Sequence, residues 1–183
     1  MSNTIDHVAS STWTVDSAHT HAGFSVRHMM ITTVRGSFAG VSGTLVLDEQ
    51  DAAKSSVSLD IEAATIDTGM AARDEHLRSG DFFDVANHPA ITFRSRSVEA
   101  TGKAAYRVTG DLTIRGTTRE VVVDVEEEGR GKDPWGGDRV GFTGSTKIDR
   151  TDWGLVWNQG LETGGVLVSN EVRISVELQV TRS

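Results

Sequence analysis

The 183-residue sequence contains no cysteine, which excludes disulfide scaffolds, zinc–thiolate sites, iron–sulfur clusters and cysteine nucleophiles. It has only two prolines. No apolar run approaches the roughly 18 residues that cross a bilayer as a helix. Basic residues are outnumbered, since 18 Lys and Arg stand against 26 Asp and Glu and give a net charge of -8. Nucleic acid is therefore not an expected partner, because phosphate backbones repel an acidic chain.

The N-terminal segment lacks the features of a secretory signal, which needs a basic start and an apolar stretch of about 7–15 residues. Asp6 and His7 interrupt the only candidate stretch. The sequence therefore predicts a cytoplasmic protein that does not span a membrane. Its length predicts one domain with a sizeable core, which we place at residues 13–183 after a flexible segment of residues 1–12.

Alternation of apolar and polar residues dominates the remaining chain. In the cleanest case, apolar side chains occupy every second position from Val172 to Val180. The same period of two occurs in residues 24–30, 56–62, 106–114 and 139–149. Strands with one apolar and one polar face are typical of antiparallel sheets, so the sequence predicts an all-β protein.

Other segments interrupt this alternation. Residues 129–138 hold Pro134 and several glycines and predict a long exposed hairpin loop. Good helix formers over residues 69–79 predict one short helix. Residues 153–165 mix apolar side chains with glycines and predict a loop with one helical turn. Short turns are predicted at 48–51, 101–103 and 115–117.

About eight one-faced strands must bury their apolar faces together, either as a sandwich or as a closed barrel. The up-and-down order and the length of the strands favour the barrel. Its inner face mixes small residues, such as Gly110 and Gly144, with large ones: Phe24, Phe93, Tyr106 and Phe142. That mixture fits a ligand tunnel and also fits a solid tapered core, and the alternation alone does not choose between them.

Five motifs occur in order along the chain. They are Trp13-x-x-Asp16-x-x-His19 with Phe24-x-Val26-x-His28; Gly36-Ser37-Phe38 with Gly43; Thr65 to Gly69 leading into Arg73 to Val85; Pro89-x-Ile91-x-Phe93; and Gly110 to Thr118. From Trp13 to Arg182 the sequence resembles the YceI-like family of lipid- and polyisoprenoid-binding proteins. Each motif alone is weak evidence, whereas five in order over nearly the whole chain are specific.

The resemblance implies an extended antiparallel eight-stranded lipocalin-like barrel with one or two short helices. It implies an apolar tunnel that takes a polyisoprenoid, an isoprenoid quinone or a related amphiphilic lipid for carriage or storage. No catalysis and no cofactor other than that lipid are implied, and family members commonly form homodimers. Many relatives are exported, so the predicted cytoplasmic location departs from the family pattern.

The alternation identifies the inward-facing positions of each strand, and together with the resemblance it predicts the residues of a ligand-binding wall. These residues are Phe24, Val26, His28, Phe38, Leu45, Leu59, Ile61, Phe93, Tyr106, Val108, Leu112, Ile114, Phe142, Ile174 and Leu178. For each of them an ordinary core position is the competing interpretation.

Histidines carry the alternative function, a His-dependent barrel enzyme, with or without a metal, acting on a bound lipid. His19 and His21 are spaced to share one strand face, and with His76 or Asp16 they would supply imidazole and carboxylate ligands. The competing interpretation is that His19 and His28 hydrogen-bond the backbone where the chain bends into the barrel. The sequence contains no nucleophile elbow, Walker loop, His-Glu-x-x-His or dinucleotide motif.

Aromatic residues in the irregular segments predict either a plug at one barrel end or an entrance: Phe82, Phe83, Trp153 and Trp157. The charged cluster beside the helix predicts either a solvated face or a pairing of Arg73 with Asp81 or Asp84. If the lipid carries a diphosphate, Arg27, Arg35 or Arg73 are the candidate partners for it.

Overall fold

The computed structural model describes residues 9–162 and 164–183. Within these ranges one α-helix, α1 (Ala71–Arg78), lies between the fifth and sixth strands, and short 3₁₀ turns join several of the others. The strands are β1 Ser10–Val15, β2 His21–His28, β3 Thr32–Phe38, β4 Val41–Asp48, β5 Ser56–Glu62, β6 Ala90–Gly102, β7 Ala105–Ile114, β8 Thr117–Lys132, β9 Asp138–Asp149 and β10 Val168–Arg182.

All strand pairs in the sheet are antiparallel, and the sheet closes on itself. Its order is β1-β4-β5-β6-β7-β8-β9-β10-β2-β3, and an additional pairing joins β1 to β10. Eight strands, β1 and β4 to β10, therefore form a closed ring, while the β2–β3 hairpin continues the sheet beyond it. The predicted eight-stranded lipocalin-like barrel with a short helix is confirmed.

The long strand β10 makes closure possible because it has two partners on the same edge. Residues 172–177 of β10 pair with β2, and residues 180–182 pair with β1. Between these partners the chain bends in the 3₁₀ turn Ser17–His19, where the Asp16 N–H donates to the Gln179 carbonyl at 2.8 Å. β1 and β2 therefore both pair with the same edge of β10, and together they resemble one strand that is bent at this 3₁₀ turn.

Period-two alternation places the core as the sequence analysis expects. Val140 of β9 pairs directly with Val180 of β10, and the two side chains are 1% and 0% exposed. The neighbouring pair on the same face is Phe142 and Leu178. Because a strand turns alternate side chains to opposite faces, the residues between these pairs lie on the outer surface.

Aromatic side chains close one end of the barrel. Trp153 is buried, and its indole N–H donates to the Leu112 carbonyl at 2.9 Å. Phe82 is also buried, with its ring centroid 5.4 Å from that of Trp157. Of the two alternatives for these aromatics, a plug is therefore what forms. We call this the closed end, and the end with the β4–β5, β6–β7 and β8–β9 turns the open end.

Arg150 holds the segment after β9 against the closed end. Its side chain is buried, and its guanidinium donates to the carbonyls of Leu155, Trp157, Val168 and Ser169. Burial lowers the pKa of this guanidinium below its usual value. One side chain therefore joins the irregular segment after β9, through Leu155 and Trp157, to the start of β10, through Val168 and Ser169.

Three boundaries differ from the sequence predictions. β1 begins at Ser10, so the predicted flexible segment 1–12 extends too far, and residues 1–8 lie outside the described residues. β8 continues to Lys132, so the hairpin loop predicted over 129–138 shortens to the turn between β8 and β9. The helical turn expected within 153–165 is a 3₁₀ turn at Arg150–Trp153. Residues 129–138 and 153–165 are both rich in glycine and resemble loops in composition. Residues 129–132 are nevertheless part of a strand, because they pair with β9.

Candidate functional site: an apolar cavity inside the barrel

The barrel encloses a cavity of about 370 Å³ toward its open end. Its deep part is lined by apolar side chains that include Ile61, Leu112 and Val121. Near the mouth the lining becomes polar, with Glu49 from the β4–β5 turn and Lys103 from the β6–β7 turn. An apolar body with a polar rim suits an amphiphilic molecule whose head group remains at the mouth.

Ten of the fifteen predicted wall residues line this cavity. They are Leu45, Leu59, Ile61, Phe93, Tyr106, Val108, Leu112, Phe142, Ile174 and Leu178. The alternation of apolar and polar residues predicts these ten correctly because each belongs to a strand of the closed ring and points inward near the open end.

The other five predicted residues lie away from the cavity, so their assignment to its wall is wrong. Phe24 and Phe38 are 5.9 Å apart by ring centroids and belong to the packed core, as does the buried Ile114. Val26 pairs with Val34, and His28 with Thr32, in the β2–β3 hairpin outside the closed ring. Alternation identifies the face of a strand but not the height along the barrel axis.

Several cavity residues escaped the sequence prediction. Val57, Val98, Val123, Val125 and Val176 line the cavity, as do the polar residues of its rim. On β8, four valines at 121, 122, 123 and 125 hide the alternation, because Val122 points outward between inward neighbours. The pairing of β8 with the clearly alternating β7 was the signal that would have found them.

Arg130 spans part of the mouth. Its guanidinium donates to the Glu49 carboxylate at 2.7 Å and also binds Glu127 on its own strand. The hydrogen bonds that Arg130 donates to Glu127 and then to Glu49 raise the pKa of Arg130 above its usual value. Two carboxylates therefore already neutralise this cation, and the rim as a whole holds three carboxylates, Asp48, Glu49 and Glu127, against the two cations of Arg130 and Lys103.

The hairpin that joins β8 to β9 is fixed to the barrel by a second ionic cluster. Arg139 donates to Asp16 at 2.7 Å and to Asp133 at 3.0 Å. The hydrogen bond from Arg139, followed by that from His19, lowers the pKa of the Asp16 carboxyl below its usual range. This cluster ties the β8–β9 turn to the bend after β1.

Comparison with known proteins agrees with this architecture. The model of the YceI-like domain matches residues 13–180. The chain belongs to the YceI-like family. It is 42% identical over 135 residues to a UPF0312 protein of Photorhabdus laumondii, covering 74% of this chain and 70% of that protein. A UPF0312 protein of Vibrio parahaemolyticus is 38% identical over 138 residues, covering 75% and 73%.

Solved structures share the fold of this YceI-like chain. Burkholderia cenocepacia BcnA superposes with a TM-score of 0.79 at 27% identity, covering 90% of this chain and 98% of that one. The Campylobacter jejuni YceI protein gives 0.74 at 27% identity, covering 86% and 90%. A polyisoprenoid-binding domain from Saccharophagus degradans gives 0.66 at 15% identity, covering 93% and 98%, which is a likeness of fold alone.

The three histidines proposed as metal ligands, His19, His21 and His76, lie on separate elements. His19 binds Asp16 at 2.9 Å beside the bend after β1, and His21 lies on the outer face of β2. His76 on α1 binds Asp81 at 2.8 Å and packs edge-on against Trp157. Across residues 9–162 and 164–183, no three His, Cys, Asp or Glu side chains are grouped to hold a metal ion.

The charged cluster beside α1 is internal to that segment. Arg73 donates to the hydroxyl of Thr68 at 2.7 Å and to its carbonyl at 2.8 Å, so its predicted pairing with Asp81 or Asp84 is wrong. Asp81 instead binds His76, and Asp84 accepts from Asn87.

Among the described helices, none is long and apolar enough to cross a bilayer.

The two inward glycines of the sequence analysis have different surroundings. Gly144 lines the cavity, and a Cβ there would lie 3.2 Å from a methyl of Val123. A Cβ on Gly110 would lie 2.5 Å from the Phe93 ring and 2.6 Å from the Arg94 carbonyl oxygen. Gly110 therefore makes room for Phe93 and does not border open space.

We expect Gly110→Ala to destabilise the barrel by about 1–3 kcal/mol, because overpacking displaces both a ring and a backbone carbonyl. Urea unfolding followed by circular dichroism measures the change. Gly129→Ala on β8 is the matched control, since a Cβ at that position meets nothing within 4 Å. Equal stability of Gly110→Ala and the wild type would contradict the close packing of Phe93 against Gly110.

Proposed function

We propose that this YceI-like protein binds an amphiphilic lipid of the polyisoprenoid or isoprenoid quinone class, for carriage or storage. The observation that carries the proposal is the apolar cavity with its polar rim at the open end. A lipid tail needs no specific hydrogen bond, because removing it from water supplies the driving force. The polar rim would hold the head group and set the orientation.

The cavity volume limits how much tail is enclosed. A volume of about 370 Å³ holds roughly twelve methylene-sized groups if each takes about the 30 Å³ of a water molecule. At about 0.8 kcal/mol per group, their burial supplies on the order of 10 kcal/mol. That gain is comparable to the roughly 4–15 kcal/mol lost in association, so affinity depends on filling the cavity.

Relatives support the lipid class in two ways. The motifs that the chain shares with the YceI-like family, whose model it matches, imply lipid or polyisoprenoid binding, and the Saccharophagus degradans domain with the same fold is described as polyisoprenoid-binding. The excess of carboxylates over cations at the rim favours a quinone or an alcohol over a diphosphate within that class. No constellation among the described histidines favours the enzymatic alternative.

We expect affinity for quinones to rise with tail length up to about two or three isoprene units and then to level off, because further units extend beyond the cavity. Titration calorimetry with quinones of one to eight units tests this, and solvent extraction with mass spectrometry identifies any lipid purified with the protein. Matched prenyl diphosphates are expected to bind at least tenfold more weakly. Absence of saturable binding by any of these lipids would refute the proposal.

A further inference from the structure

Trp135 is the most exposed of the large apolar side chains in the described part of the chain. It lies in the turn between β8 and β9, and 87% of it is accessible to solvent. The other tryptophans are covered, with Trp13 and Trp153 in the core and Trp157 packed on Phe82. An indole has a large apolar ring and one polar N–H, and such side chains are enriched at protein interfaces and at membrane–water boundaries.

The turn that carries Trp135 is held firmly. The Asp133 carboxylate accepts hydrogen bonds from the backbone N–H of Trp135 at 2.9 Å and of Gly137 at 2.8 Å. Arg139 fixes the same carboxylate at 3.0 Å. Gly136 has a φ of +87°, which a residue with a side chain rarely adopts. The backbone therefore presents the indole outward in a defined position.

The β8–β9 hairpin extends beyond the end of β7 at the mouth of the cavity, while its β9 arm stays paired with β10 as far as Arg139. β7 pairs with β8 only as far as Glu126, whereas β8 continues to Lys132. These six further residues extend about 20 Å at roughly 3.3 Å each. Glu127 and Arg130, within this extension, line the mouth. Trp135 thus stands beyond the opening through which a lipid would pass.

We propose that Trp135 anchors the open end of the barrel in the interfacial layer of a lipid membrane, so that the cavity mouth faces the source of its ligand. This inference rests on the proposed lipid-binding function. Tryptophan prefers the membrane–water interface, where its ring is in an apolar layer and its N–H remains hydrated.

The charges around Trp135 indicate what kind of surface it meets. Lys132 pairs with Asp138 at 2.7 Å, and Arg139 pairs with Asp133 and Asp16. Because these cations are matched by carboxylates, the hairpin carries no surplus of positive charge to attract anionic lipids. A protein partner would need a broad apolar patch, whereas a single projecting indole suits shallow insertion into electroneutral lipid.

The closed end offers a matched control. The β2–β3 hairpin there also has an exposed apolar tip, with Ile31 70% exposed. The Met29 N–H donates to the Leu167 carbonyl, which places this tip beside the plug and away from the mouth. Ile31→Ala removes apolar surface of similar exposure from the opposite end of the molecule.

The experiment compares the wild type, Trp135→Ala and Ile31→Ala in full-length protein. Flotation with phosphatidylcholine vesicles measures membrane partition, and mixing with vesicles that contain a two-unit isoprenoid quinone measures the rate of transfer to the protein. We expect Trp135→Ala to reduce both partition and transfer rate at least tenfold, and Ile31→Ala to leave both within twofold of the wild type. Unchanged partition of Trp135→Ala, or an equal loss in Ile31→Ala, would overturn the anchor.

A third measurement separates this inference from the function on which it rests. Equilibrium binding of the two-unit quinone in solution, without vesicles, is expected to be the same for all three proteins. Loss of that binding in Trp135→Ala alone would overturn the anchor by making Trp135 part of the ligand site. Failure of all three proteins to bind would refute the proposed function, while the flotation result would still decide whether Trp135 contacts the membrane.

Discussion

Replacing Val125 by tryptophan is expected to reduce quinone binding at least thirtyfold while the barrel remains folded. Val125 points into the cavity from β8 and pairs with Gly144 on β9 and Tyr106 on β7. Gly144 has no side chain, so the larger ring has space to lie over it and occupy the volume that the lipid tail would take. Lost burial of about two or three methylene-sized groups, at about 0.8 kcal/mol each, is enough to account for a thirtyfold effect.

The matched control for this variant is Val122→Trp. Val122 lies on the same strand but on the outer face, where it is 45% exposed. The added bulk then reaches solvent, and binding is expected to be that of the wild type. In urea, Val122→Trp should unfold within about 0.5 kcal/mol of the wild type, and Val125→Trp, which enlarges a side chain packed beside the cavity, within about 3 kcal/mol. Full binding by Val125→Trp would place the lipid outside this cavity.

Arg150→Met is expected to destabilise the protein more than the other substitutions, by about 3–5 kcal/mol. The buried guanidinium donates to four carbonyl oxygens, and methionine removes this donor from all of them in a site that water reaches poorly, although Val168 still accepts from the Asn158 amide. For a chain of this size, the loss corresponds to a fall in melting temperature of roughly 6–20 °C at about 2–4 °C per kcal/mol.

Differential scanning calorimetry and urea unfolding measure this loss. Arg96→Met is the control, since Arg96 is 60% exposed in its ion pairs with Asp111 and Glu120 and is expected to change stability by less than about 1 kcal/mol. Arg150→Lys should fall between the two, because an ammonium group cannot reproduce the planar fork of donors. Equal stabilities of Arg150→Met and Arg96→Met would contradict the structural role of Arg150.

The fold could be predicted from the sequence because strand alternation and barrel closure are both consequences of one apolar face per strand. β10 shows this clearly, since every apolar residue from Val172 to Val180 faces inward. The family motifs add the same architecture independently. Local patterns did not predict the position of each strand along the barrel axis. That position is set by the β1–β10 and β2–β10 pairings between distant parts of the chain.

The candidate site was therefore predicted in part. Residues of the closed ring, such as Leu59 and Leu178, were placed on the cavity wall, whereas Phe24 and Val26 have the same parity but lie beside the hairpin that leaves the ring. Arg150 gave no signal, because an arginine after a strand is ordinarily a surface residue. Trp135 was treated as part of a loop, since the strand extension that carries it is rich in glycine and charge.

The two partners of β10 also set the order in which the barrel can assemble. β10 follows β1, β2 and β9 in the chain, and the hydroxyls of Thr14 and Ser183, 169 positions apart, meet at 2.7 Å. Until β10 has left the ribosome, these three earlier strands each keep an unpaired edge that other chains can join. Folding is therefore expected to be slow and dominated by distant contacts, and chaperones that shield strand edges should raise the yield of soluble protein.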